Sequence, residues 1–339
     1  MNLVLFFKDF RMARPGISHV GLGVSSKNTA AVLRKEGINA EAVGVISFHE
    51  IVQYLADHTD ITHVVIGAPW LQPNEVESLL INLPHVKFVV TSHSNIGFLA
   101  VEPAAIKLLR GYKLLQDKYS NFHVAGNSEK FTEAWGRMFN TRVTFLPNLY
   151  NLDGKVRPYF VGHDIECRPV RIGLFGSVRP LKNFVSAVAA CIDISTRLNK
   201  EVEIFINAGR EEGGQVTNRA IDELVVGLDK VKLVRVMWRD HHHFKKLVGE
   251  MDVLMQASYT ESFNVVTADG ISEGVPSVVS DAITWTPKSW TSKADDVNNI
   301  AWTALELLLH REEEALAGRN YLIWYINEGI RHWQKWLSN

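Results

Sequence analysis

Cysteine is almost missing from this chain. Cys167 and Cys191 are the only two among 339 residues, too few and too weakly patterned for a disulfide framework or a zinc site. A reducing cytoplasm is the compartment this predicts. Long apolar runs are missing too, since no stretch approaches the ~20 residues of a membrane span. The apolar start at residues 3–7 runs straight into charged residues, unlike a secretory leader, so no transmembrane segment is expected. Charge of one sign is also lacking. Lys and Arg number 36 against 37 Asp and Glu, which leaves no global field pointing to nucleic acid or an anionic membrane. Glycines stand at 16, 21 and 23 after the first strand pattern, but not as GxGxxG. A nicotinamide fingerprint is therefore unsupported.

The apolar share is 46%, ample for two cores, and the length favours two domains. Strand patterns at residues 2–7, 40–45, 63–67, 86–91, 122–125 and 143–146 alternate with helical ones at 26–35, 48–58, 103–118 and 129–139. This order predicts a parallel sheet covered by helices. Lys107, Arg110, Lys113 and Lys118 lie on polar positions of the 103–118 helix and read as a solvated face. Residues 152–170, with Gly154, Pro158, Gly162 and Pro169, read as a linker. A second alternating series opens at residue 171 and continues through strands at 202–206 and 231–237 and a helix at 295–310. The last segment steps through Ile323, Ile326, Ile330, Trp333 and Leu337, one face of a long helix. His241, His242 and His243 point in different directions at a helix start, with no carboxylate at zinc-site spacing. No metal is expected there.

Residues 252–281 carry the most chemistry. A short apolar strand (Val253, Leu254, Met255) breaks into a loop, a helix pattern follows from Val265 to Ile271, Gly274 and Pro276 stop it, and Val278 and Val279 begin the next strand. In open α/β sheets ligands bind outside the carboxyl ends of strands. Backbone N–H groups around Phe263, Asn264 and Val265 would form an anion site fit for a diphosphate. Glu261 and Asp269 flank those donors and can accept hydrogen bonds from hydroxyls. Acidic acceptors beside a phosphate cradle suggest a sugar nucleotide.

Glu261, Phe263 and Asp269, followed by Gly274, Pro276, Val278, Val279 and Ser280, resemble the donor-site signature of retaining glycosyltransferases of the GT-B fold, family 4. Two positions depart from it: Asp269 where the family usually has Glu, and Asn264 where Gly is usual. Residues 176–183 resemble the family's GRxxxxKG phosphate motif, with Lys182 six residues after Gly176. Ser177 holds the family arginine position and Arg179 stands two residues later. Pro147-Asn148 resembles the step that ends the family's amino-terminal domain.

The resemblance implies an α/β chain of GT-B architecture, two Rossmann-like doubly wound parallel-sheet domains facing across a cleft. The expected parts are an acceptor domain at 1–151, the linker, a donor domain at 171–312, and a terminal helix at 313–339 crossing back to the first domain. It implies transfer of a sugar from a nucleotide-diphosphate donor to an acceptor hydroxyl with retained configuration, without a metal or other cofactor. Lys182 and Arg179 would neutralise the leaving phosphates, Glu261 would orient sugar hydroxyls and Asp269 would hold ribose. His93, in the polar cluster ending the 86–91 strand, would contact the donor sugar. Gly16 would face the ligands, Arg210 would add a phosphate contact, and Trp238 would lie by the nucleobase. The acceptor stays open among a saccharide, a lipid, a small molecule and a hydroxymethylated base in phage DNA, the last of which would place the protein in a host cytoplasm. The same fold also serves nucleotide-sugar 2-epimerases, and non-catalytic sugar-nucleotide binding is a third reading.

Overall fold

The computed structural model describes residues 2–9, 20–153, 165–208, 213–237 and 239–338. Contacts divide the chain into two compact units, Met1–Asn151 with Ile326–Asn339, and Leu152–Tyr325. Gly16, Arg210, Trp238 and residues 154–164 of the expected linker lie outside the described residues.

The first unit runs β1 (Asn2–Lys8), α1 (Val20–Lys35), β2 (Asn39–Val45), α2 (Phe48–Asp57), β3 (His63–Ile66), α3 (Pro73–Asn82), β4 (Lys87–Ser92), α4 (Pro103–Lys118), β5 (Phe122–Gly126), α5 (Glu129–Phe139) and β6 (Thr144–Phe145). Its strands pair in parallel in the order β2-β1-β3-β4-β5-β6. Burial explains the central strands: β1 is buried from Leu3 to Phe7, the near-continuous apolar run of a strand covered on both faces. The core gathers Phe6, Phe88, Phe122, Phe131, Trp135 and Tyr112.

Helix α3 is additional to the sequence reading, and its start was written in local chemistry. Pro73 opens it, and the Gln72 amide donates to Glu75 Oε2 at 2.7 Å, half of a capping box. At α5 Ser128 occupies the N-cap position, but its side chain makes no capping bond. The final segment anchors to this unit by a Trp333 indole bond to the Pro147 carbonyl, 2.8 Å, and by Gly329, where an added Cβ would meet Leu149 at 2.6 Å.

The second unit contains β7 (Val170–Leu174), α6 (Phe184–Leu198), β8 (Val202–Asn207), α7 (Gln215–Val225), β9 (Val231–Val236), α8 (His241–Val248), β10 (Val253–Gln256), α9 (Val265–Ser272), β11 (Ser277–Ser280), β12 (Thr291–Ser292), α10 (Val297–Leu309) and α11 (Arg311–Ser338), the last shared with the first unit from Ile326. Helix α7 was also not foreseen. The parallel strand order is β12-β11-β10-β7-β8-β9. Counted from β7 this is 3-2-1-4-5-6 read from the β9 edge, whose topological switch point falls between β7 and β10.

One buried charge fastens those two strands at their amino ends. Asp252, fully buried, takes both Arg168 guanidinium nitrogens at 2.8 and 2.7 Å, the Arg171 amide at 2.8 Å and Arg311 at 3.3 Å. A carboxylate is tolerated there because paired, charge-assisted bonds replace its water. The carboxyl ends of β7 and β10 are thereby set side by side.

Candidate active site at the switch point of the second unit

Two loops leave the switch point, one after each strand. After β7, Gly176 takes φ +122°, a backbone region open to glycine, and its amide donates to Asn207 Oδ1 at 2.8 Å. Ser177 follows, 6% exposed, with its hydroxyl buried and without a hydrogen-bond partner among the described residues. A short turn, Pro180–Lys182, leads to Asn183 in the left-handed region at φ 58°. Asn183 Nδ2 donates to the Ala257 carbonyl at 2.9 Å and the Ala294 carbonyl at 2.5 Å, while the Tyr259 amide donates to the Leu181 carbonyl at 3.0 Å. These bonds stitch the loop after β7 to the loop after β10.

The stitching brings Lys182 and Glu261 together. Lys182 Nζ donates to Glu261 Oε1, and the two side chains are only 16% and 13% exposed. Ser258 donates to the same carboxylate oxygen at 3.3 Å, and Ser258 is itself fixed through its carbonyl by the Ser280 hydroxyl at 2.5 Å. Two residues 79 positions apart, expected in different roles in one reaction, thus form an ion pair. Arg179 lies half-buried immediately before the turn.

Helix α9 begins at Val265, where the helical pattern was expected to start. Asn264 is its N-cap in a left-handed conformation, φ 61°, and its side chain accepts from the Thr267 amide at 2.9 Å. Asn264 Nδ2 donates to Gln256 Oε1 at 3.0 Å, and Gln256 in turn donates to the Phe175 carbonyl at 3.2 Å. Position 264 needs a residue that tolerates positive φ, and asparagine does so while adding a cap. With Thr267 capped, Val265 and Val266 supply the first-turn amides that have no intrahelical acceptor. Phe263 is a packing residue: its ring stacks on Trp285 at 4.9 Å and on Tyr325 at 5.6 Å, and its carbonyl accepts from the Trp285 indole at 2.6 Å.

Asp269 is buried, 2% exposed in its side chain, and Oδ1 lies 2.9 Å from His241 Nε2. The acid expected at ribose thus comes with a histidine partner that sequence reasoning missed. No spacing rule links positions 28 apart; only the packing of α8 on α9 does. Asp269 raises the His241 pKa above its ordinary value against the opposing effect of burial. Among the described residues no group of three or more His, Cys, Asp or Glu is placed to hold a metal ion.

His93 belongs to the first unit, just after β4. It lines a cavity of about 20 Å³ with Ser25, Ser26, Thr91 and Asn148. Asn127 Nδ2 lies 3.2 Å from His93 Nδ1. Burial lowers its pKa to about 4, so the ring is neutral at pH 7.

No family model and no curated protein matches the sequence. Solved structures do match. The structure of Anabaena Alr3699/HepE in complex with UDP and glucose superposes with a TM-score of 0.65 at 14% identity, covering 100% of both chains. Sucrose-phosphate synthase from Thermosynechococcus elongatus gives 0.64 at 15% identity, over 99% of this chain and 98% of the other. A point mutant of S. aureus TarM, in complex with Fondaparinux, alpha-GlcNAc-glycerol and UDP, gives 0.62 at 12% identity, over 84% of this chain. The match spans 57% of that TarM chain. The fold is GT-B. In this GT-B chain the loops of the β7/β10 switch point carry Lys182 and Glu261, Asp269 pairs with His241 on the adjoining helices, and His93 lies in the other Rossmann-like unit. Among the described residues no helix is long and apolar enough to cross a membrane.

Proposed function

We propose that the protein is a glycosyltransferase that moves a sugar from a nucleotide-diphosphate donor to an acceptor hydroxyl with retained anomeric configuration. The observation that carries this is the Lys182–Glu261 pair at the switch point, next to Gly176 and the Ser177 hydroxyl, which is buried without a partner among the described residues. A cation, a glycine backbone, a buried hydroxyl and the α9 amides together suit a diphosphate. The neighbours HepE and TarM were solved with UDP, which favours a uridine nucleotide.

In the proposed reaction the bond between the anomeric carbon and the β-phosphate oxygen breaks as a bond to the acceptor oxygen forms on the same face. The acceptor proton passes to the leaving phosphate oxygen, so no separate protein base is required. Lys182 and Arg179 offset the charge growing on that oxygen, where a fixed cation stabilises the transition state most. Glu261, released from Lys182 by the incoming diphosphate, orients sugar hydroxyls. Asp269 accepts from ribose, and His93, uncharged, can donate to or accept from the sugar. No metal or other cofactor enters this scheme. The acceptor is a saccharide hydroxyl or a hydroxymethylated base of phage DNA, and the cytoplasm is the proposed location.

The test is turnover of UDP-glucose, UDP-N-acetylglucosamine and GDP-mannose with a saccharide panel and with hydroxymethylated DNA, read by nucleotide release and proton NMR of the product. Transfer with retention supports the proposal. Conversion of the donor without acceptor would identify a 2-epimerase instead, and an intact donor under every condition would leave only a binding protein.

A further inference from the structure

His241 and Asp269 form a contact that no signature residue accounts for. The bond joins the first residue of α8 to the middle of α9, Nε2 to Oδ1 at 2.9 Å, with the carboxylate 2% and the imidazole 38% exposed. A carboxylate only accepts, so the proton of this bond resides on His241 Nε2 whether the ring is neutral or charged. Nδ1 is then the atom that titrates. The bond restrains the buried carboxylate, and whatever else binds it meets an oriented acceptor with a switchable charge beside it.

We infer that His241 is a positioning residue for the nucleotide: it fixes the Asp269 carboxylate and, by gaining or losing its second proton, sets how tightly the site holds a diphosphate-linked sugar. This rests on the proposed nucleotide-sugar site. The groups that face His241 are Asp269 of α9 and Glu273 at its C-cap, which favour its charged form, and Lys245 of α8, which opposes it. Lys245 and Glu273 pair with each other at 3.2 Å, so Asp269 is the leading influence. The charged form of His241 persists above the pH at which an ordinary histidine loses it. Lowering the pH through that range adds a positive charge to the site. The diphosphate diester of a sugar nucleotide does not titrate there, so linkage predicts tighter binding in acid and an upward shift of the His241 pKa when the donor binds.

The experiment is calorimetry with UDP-glucose at pH 6.0 and pH 8.5 on the full chain. Wild type is expected to bind about fivefold more tightly at pH 6.0, the scale of one partly exposed charge interaction. His241→Gln, whose amide can still donate to Asp269, should keep the alkaline affinity within about twofold and lose the pH dependence. His241→Ala should bind about tenfold more weakly than wild type at pH 8.5 and about fiftyfold more weakly at pH 6.0, because it loses the pH dependence as well as the bond. A merely structural role for His241 would lower the melting temperature of the variants and leave the pH slope of affinity unchanged. An unchanged slope in His241→Gln, or wild-type affinity in His241→Ala, would overturn the inference while leaving the nucleotide site standing. Failure of wild type to bind UDP-glucose, GDP-mannose and ADP-glucose alike would overturn the nucleotide-site proposal, and this inference with it.

Discussion

Replacing Lys182 separates a structural cation from a catalytic one. Its ammonium and the Glu261 carboxylate are each less than one-fifth exposed, so Lys182→Ala takes the ammonium away from a largely buried acid, which also accepts from the Ser258 hydroxyl at 3.3 Å. Removing one member of a fully buried pair costs about 3–5 kcal/mol, and a surface pair contributes about 0–1. This pair lies between, which puts the loss of stability at about 1–3 kcal/mol. Glu261→Gln in the same chain removes the acid's charge, so the double variant should recover most of that stability. Turnover should behave differently. A cation at the leaving phosphate contributes mainly in the transition state, so Lys182→Ala should lower kcat by about two orders of magnitude or more, and the double variant should not regain it. Denaturant unfolding followed by tryptophan fluorescence gives the first quantity, and nucleotide release gives the second. Recovery of turnover in the double variant would refute the catalytic role, because Lys182 would then act only by neutralising Glu261.

Asn264→Ala should destabilise the second unit by about 1–2 kcal/mol, since it loses the cap on Thr267 and the Gln256 bond at a residue with φ 61°; Asn264→Gly, free to adopt that φ, should cost less in the same unfolding assay. His63 and His93 both have pKa values lowered to about 4, chiefly by burial. The unfolded chain binds their protons first, so their stability contribution is complete above about pH 6.5 and lost as the pH falls toward 4. Unfolding free energies from denaturant titrations at pH 7.5 and pH 5 should differ by about 2 kcal/mol for each histidine, and His93→Gln should shrink the difference. Because the proposed chemistry relies on Lys182, Arg179 and backbone amides, chelator treatment should leave turnover intact; loss restored by zinc or manganese would contradict it.

The legible part of the fold was its alternation. Helices α4 and α5 coincide with the periodic segments 103–118 and 129–139, because apolar spacing and a Pro or Ser start announce them. Helix α3 was missed although Pro73 and Glu75 mark its start and Val76, Leu79 and Leu80 step three and four along its buried face; its ten residues give that pattern little room to repeat. The motif around Glu261 and Lys182 was visible as two separate patterns, but their pairing was not, because it depends on strand order: β7 and β10 are neighbours only once the sheet is assembled. The same holds for His241. A histidine triplet reads as a metal question in one dimension and as a partner for Asp269 in three. Asn264 seemed a departure from the family glycine, and its left-handed backbone supplies the physical reason that both residues suit the position.

The division of labour between Glu261 and Asp269 tests the account most directly. Calorimetry with UDP and with UDP-glucose should show that Asp269→Asn weakens both ligands by about 1–3 kcal/mol, because both carry ribose and a buried hydrogen bond is left poorly made. Glu261→Gln should weaken UDP-glucose and spare UDP, which has no sugar for Glu261 to touch. If Glu261→Gln weakens both ligands equally while Asp269→Asn weakens neither, the nucleotide sugar does not sit at this switch point as proposed.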